Sequence, residues 1–193
     1  MKILLMTGPP FSGKGTQCEI LSREFKFKHI STGERCRFEK DNNTKIGLIM
    51  SEYEEKGNLV PDSIMKTLFD QIIEENSKED GIILDGYPRT IAQVKDLAEL
   101  LDLKFHTNAI VVNLDVSKEE LIKRAVKRSK KSNRRDDQDS NIQLKRIEVF
   151  EKFTRPAIEY MKYKFKVLTY SGTGKIDEIA HSIFQGIKRE VIL

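Results

Sequence analysis

Apolar residues along the chain follow two different periods. Short β-rich runs at residues 3–6, 82–84, 109–114 and 165–170, with a brief one at 28–31, are the strand candidates. Between them apolar positions recur every three or four residues. That spacing predicts helices over 14–25, 34–40, 44–55, 62–76, 91–101, 118–129, 141–163 and 176–190. Strands alternating with helices predict an α/β fold: a parallel sheet covered by helices on both faces, with ligands bound beyond the carboxyl ends of the strands. Two intervals break the rhythm. Residues 31–76 carry several helices and no convincing strand, as an inserted helical flap would. Residues 127–139, KRSKKSNRRDDQD, contain no apolar side chain, which fits a solvated loop or a cover over something charged.

Composition narrows the function classes. A chain of 193 residues suits one domain, and 38% hydrophobic with 33% charged residues is a globular balance. The net charge of +4 is compatible with a protein that grips small polyanions. The two cysteines, Cys18 and Cys36, form no CxxC pair, so neither a zinc site nor a disulfide framework is predicted. The amino-terminal apolar run is about five residues, too short for a signal-peptide core, and no stretch approaches a membrane span. Cytoplasmic residence without a membrane partner is the expectation.

The first predicted strand runs directly into GPPFSGKGTQ, residues 8–17, at the start of the first helix. Gly8, four residues, then Gly13-Lys14 matches most of the phosphate-loop pattern. Such a loop needs backbone N–H groups converging on phosphate oxygens, a helix amino terminus behind them and a lysine as a point charge. Two positions are unusual. Phe11 is bulky; a φ > 0 there would cost about 1–3 kcal/mol, whereas a tolerant loop would let the ring point outward towards a lid. Gly15 occupies the place where a metal-ligating hydroxyl usually follows the lysine, and Thr16 is displaced by about 100° round the helix. The metal is therefore expected to be held largely through water and nucleotide oxygens. Asp85, which ends the apolar run of GIILDGYPRT, is the candidate carboxylate for positioning hydrated Mg²⁺.

Five ordered motifs, GPPFSGKGTQ, STGERCR, GNLVPD, DGYPRT with Gln93 after it, and RRDD followed by Arg146, together with the final SGTGKIDEI, resemble the nucleoside monophosphate kinases, most closely the adenylate kinases. The resemblance covers nearly the whole chain. It implies a phosphate-loop fold with a five-stranded parallel sheet, a core of residues 1–30, 77–128 and 140–193, a monophosphate-binding flap over 31–76 and a short lid over 129–139, without a structural zinc. It also implies reversible, Mg²⁺-dependent transfer of phosphate from ATP to AMP, giving two ADP, by a monomer. Carried over by position, Phe11, Ser12, Gly13, Lys14, Gly15, Thr16 and Arg128 would hold ATP, with Gly174 near its adenine. Thr32, Arg37, Gly86, Tyr87, Pro88, Arg89 and Gln93 would contact AMP, and Asn58, Leu59 and Val60 would line its base. Arg128 and Arg146, with Arg134 or Arg135, would close over the transferring phosphates; the last three would also meet AMP. Lys14, Arg89 and this lid group would form the catalytic set.

The chemistry of the residues agrees. A nucleotide phosphate is already ionised near neutrality, so no general base is required, and His29, His106 and His181 stand isolated in sequence. Cations and exclusion of water are what the reaction needs. Thr32 stands where pyrimidine-monophosphate relatives have alanine and Thr90 where they have asparagine, which favours AMP over UMP or CMP. Three other classes fit less well. A GTPase switch would need an N-K-x-D motif, which the chain lacks. A nucleic-acid module would interleave aromatics in KRSKKSNRR rather than follow it with DDQD. A non-catalytic nucleotide-binding protein would rest on Phe11 alone.

Overall fold

The computed structural model describes residues 1–105, 108–131 and 135–191. Its five strands are β1 (Lys2–Thr7), β2 (Lys28–Ser31), β3 (Gly81–Asp85), β4 (Ala109–Asp115) and β5 (Lys166–Ser171), all parallel in the order β2-β3-β1-β4-β5. Side chains alternate across the central strand and so build two cores. Ile3 and Leu5 of β1 face one side, where they join Leu68, Ile72, Val94, Leu97 and Met161. Leu4 and Met6 face the other, with Cys18, Leu21 and Ile183. A strand buried on both faces must read as an unbroken apolar run, as residues 3–6 do.

Helices α1 (Lys14–Phe25) and α10 (Ile176–Val191) cover the second face; α4 (Asp62–Glu75), α5 (Ile91–Leu100) and α9 (Arg155–Met161) cover the first. Helices α2 (Thr32–Asp41) and α3 (Lys45–Glu54) precede α4 in the predicted flap, and α6 (Lys118–Ser129), α7 (Arg135–Gln138) and α8 (Ser140–Val149) follow β4. Starts are set by side-chain caps: Ser31 accepts from the Glu34 N–H, Thr90 from Gln93, Ser117 from Glu120, and Asp139 from Asn141 and Ile142.

Three expectations are corrected. The helix expected at 34–40 begins two residues earlier, because Ser31 caps it. The single helix expected over 141–163 is α8, a π-turn at Phe150–Thr154 and α9. Pro156 is the physical reason: it has no N–H to donate back to the preceding turn, so the ladder widens there. The polar interval 127–139 is not wholly irregular either, since it contains the end of α6 and the short α7. No helix among the described residues is long and apolar enough to cross a membrane.

Candidate active site

The connection from β1 leads towards β2 on one side of the sheet, and that from β4 leads to β5 on the other. The crevice at the carboxyl ends of the central strands is therefore the place for a ligand. A cleft of about 1060 Å³ opens there. It is bounded by the loop after β1, by the flap helices, by the loop after β3 and by α6 and α8.

The loop after β1 folds around its own lysine. Lys14 Nζ donates to the Gly8 carbonyl at 2.8 Å and the Pro9 carbonyl at 2.7 Å. Gly8 has φ +138°, and a Cβ there would meet the Leu114 carbonyl at 2.6 Å, so the loop can leave β1 at this angle only with glycine. Burial pulls the Lys14 ammonium down to about 8; Arg89 and Arg146 act in the same direction and Asp85 opposes them. The Ser12 hydroxyl is buried with no partner among the described residues, while its carbonyl accepts from Arg124 Nη1 at 3.2 Å. Arg124 Nη2 also reaches the Gly172 carbonyl at 2.9 Å. One guanidinium thus ties the loop after β1 to the loop that carries Gly174. Gly174 itself does not line the cleft.

Phe11 combines features of both sequence-based alternatives. Its φ is +66°, the left-handed region, and its ring turns towards the lid side. It is not outward, however. The residue is 8% exposed and packs with Val116, Leu121, Ala125 and Ile147. Burying a phenylalanine side chain contributes about 1.5–3 kcal/mol, enough to offset the strain.

On the flap side, Gln93 is buried and held at both ends: its Oε1 accepts from the Arg89 N–H at 2.7 Å and its Nε2 donates to Asp62 Oδ1 at 2.7 Å. Thr90 donates to the same carboxylate oxygen at 3.0 Å. Thr32 Oγ1 donates to the Asp85 carbonyl at 2.9 Å, and Arg89 Nε to the Gly86 carbonyl at 2.6 Å. A side chain at Gly86, φ +87°, would lie 2.9 Å from Arg89 Nη2 and 3.0 Å from Thr32 Oγ1. Thr32, Asn58, Leu59, Val60, Arg89 and Gln93 line a small recess that opens beside the cleft. Arg37 and Pro88 line the cleft proper. Tyr87 does not: its ring is buried and stacks on Phe69 at 4.3 Å.

On the lid side, Arg128 Nε donates to Asp137 Oδ2 at 2.7 Å, and Arg146 Nη1 to Asp137 Oδ1 at 3.0 Å and Asp136 Oδ2 at 2.8 Å. Asp137 is fully buried between the two guanidiniums. Arg134 lies outside the described residues, and of Arg135 only its place at the start of α7 is described.

Asp85 ends β3 with its carboxylate 3.8 Å from where a Gly15 Cβ would be, over the start of α1. Burial resists its ionisation, but His29, Lys14 and Arg89 together outweigh burial and hold the carboxyl below its ordinary value. His29, expected to be isolated, stands with Nε2 3.7 Å from Asp85 Oδ2 and lines the cleft. Donor atoms of Cys18, His29 and Asp85 lie within 4.8 Å of one another, a grouping that the cysteine spacing did not reveal. Burial, with the Asp85 charge, pushes the Cys18 thiol up, so it stays protonated. A hard divalent cation takes oxygen ligands. Of this group only the Asp85 carboxylate suits Mg²⁺, with the exposed Thr16 hydroxyl also lining the cleft.

Sequence reasoning did not assign roles to Arg124, Asp62 or His29. Each acts through a partner far away in the chain, and no local pattern marks it. Asp137 was visible only as part of an acidic pair.

A profile of the adenylate kinase family matches residues 6–166. Proteins called adenylate kinase from Porphyromonas gingivalis, Parabacteroides distasonis and Leptospira biflexa are 40%, 37% and 36% identical over 177, 184 and 187 residues. Those alignments cover 92%, 95% and 97% of this chain, and 91%, 96% and 100% of the respective relatives. Since the likeness runs through the strands that carry the cleft as well as the loops that line it, the chain belongs to the adenylate kinase family.

Proposed function

We propose that the cleft holds two nucleotides end to end and that reversible phosphoryl transfer from ATP to AMP, giving two ADP, takes place between them. One observation carries this reading. Lys14 on the sheet side, Arg37 and Arg89 on the flap side, and Arg128 and Arg146 on the lid side all line one continuous cleft. That is an array of cations for two polyphosphate tails, with no general base needed for an ionised phosphate nucleophile. Backbone N–H groups of residues 12–16 and Lys14 would bind the ATP phosphates, while Arg37 and Arg89 would orient the AMP phosphate. The recess by Asn58, Leu59 and Val60 would take the AMP base. Its two contacts among the described residues leave Gln93 one N–H and one lone pair, enough for one paired interaction with adenine. Residues 31–76 and 129–139 would close as flap and lid and exclude water.

Asp85, through water, would position Mg²⁺ beside the ATP phosphates; when bound, the ion neutralises charge on the phosphate oxygens. The protein is expected to act as a monomer. The direct test supplies ATP and Mg²⁺ with AMP, UMP, CMP, GMP or dTMP in turn and follows diphosphate formation. AMP should give the highest kcat/KM, and a pyrimidine monophosphate that surpasses it would overturn the acceptor assignment.

The lowered Lys14 value gives a second expectation. ATP will bind more weakly to the free enzyme as pH rises through about 8, where Lys14 loses its proton. Phosphate at the loop favours the ammonium, so binding near that pH will take up protons. Calorimetry in buffers of different ionisation heat measures this uptake, and its absence would count against Lys14 as the cationic contact. The sign for stability is opposite. Between about 8 and the ordinary 10.5 the unfolded chain holds the extra proton, so this group makes the fold more stable as pH rises through that window.

A further inference from the structure

The phosphate loop carries one side chain that its chemistry does not require. A loop built to present N–H groups has no use for a benzyl group, and the left-handed backbone at Phe11, φ +66°, disfavours one. The ring is not idle. The Arg146 guanidinium carbon lies 5.2 Å from its centroid and that of Arg128 5.9 Å. Both distances are within cation–π range. The same two guanidiniums share the buried carboxylate of Asp137. Behind the ring, Val116, Leu121, Ala125 and Ile147 close an apolar pocket formed by β4's exit, α6 and α8, the helices that carry Arg128 and Arg146.

We propose that Phe11 is a positioning residue: its ring is a platform, rooted in the phosphate loop, that holds Arg128 and Arg146 over the place where phosphate is transferred. The two anchors of these arginines differ in kind. Asp136 and Asp137 are directional anionic partners that compete with phosphate oxygens for the guanidinium N–H groups. The ring attracts the guanidinium charge without accepting from its N–H groups as a carboxylate does, so an arginine can turn its donors to phosphate without leaving the platform. The platform also couples the two halves of the ATP site, because any shift of the loop backbone at Phe11 shifts both guanidiniums. Strain at a position where glycine would be relaxed is then explained by what the side chain does.

This inference rests on the proposed role of Arg128 and Arg146, and the test separates the two. Steady-state kinetics are measured for Phe11→Tyr, Phe11→Leu, Phe11→Met and Arg146→Met, and for Phe11→Leu combined with Arg146→Met, with melting temperatures alongside. Leucine and methionine both fill the apolar pocket without a π face, so one serves if the other fails to fold. The expected result is a fall in kcat of about tenfold for Leu or Met, the scale of a desolvated cation–π contact. Tyrosine should keep kcat within about twofold of the parent, because its ring face is retained. In the Arg146→Met background the further loss from Phe11→Leu should shrink to the share that Phe11 exerts through Arg128, because the contact to Arg146 is already gone. If Leu and Met retain kcat, or Tyr loses as much as they do, the platform is refuted while the arginine assignment stands. An undiminished Phe11→Leu loss without Arg146 also refutes it. Unchanged kcat in Arg146→Met would instead remove the reading beneath it.

Discussion

Arg146→Met will lose about 10³–10⁵-fold in kcat, the range an arginine supplies to a transferring phosphoryl group. The side chain lies where three elements meet: it extends from α8, rests on the Phe11 ring and reaches two carboxylates of the lid segment. Methionine keeps the apolar stem and abolishes the charge. Asp137 stays paired with Arg128 through its other oxygen, so folding should suffer only by about 1–3 kcal/mol, the cost of one lost charged hydrogen-bonding partner. Arg146→Lys should recover little, because an ammonium cannot lie on a ring and present two parallel donors at once. Single-turnover rates with saturating ATP and AMP check this, and a loss below tenfold would exclude Arg146 from the transfer step.

Lys14→Met will be nearly as damaging to turnover and far milder to the fold. Nζ bridges two carbonyls of its own loop, and phosphate must meet the same ammonium. Loss of a preorganised charge at the reacting centre costs about 10²–10³-fold or more in rate. The native state, however, holds this cation at a desolvation cost that drags its pKa to about 8. An uncharged chain of similar length escapes that cost, and water in the open cleft can satisfy the Gly8 and Pro9 carbonyls. The melting temperature should therefore stay within a few degrees while kcat collapses. Calorimetric unfolding beside the kinetic assay decides it: a variant that unfolds would show Lys14 to be a structural brace rather than a ligand-binding cation.

Patterns short enough to sit in one stretch of chain were legible without coordinates. The strand at 3–6 reads as buried because four apolar residues in succession can only be covered from both sides. The turn from β1 into α1 reads as such because glycines, lysine and a helix start occur together within a few residues, and the helical interval between β2 and β3 because its helices lack a strand between them. The break at Phe150–Thr154 was legible in principle from Pro156, but the apolar period continues across it and conceals it.

By itself, then, the amino-acid order determined which elements form and in what succession, since these follow from backbone sterics and the period of burial. Only the folded chain decided how the charges pair. Arg124 meets the Ser12 carbonyl across 112 residues, Gln93 meets Asp62 across 31, and His29 is brought beside Asp85 by strand pairing of β2 with β3. A guanidinium's partner depends on distances of a few ångström between segments remote in the chain, and no local period encodes those. The same holds for Phe11. Its residue type announced strain, but only the packing of α6 and α8 around the loop shows what the ring supports.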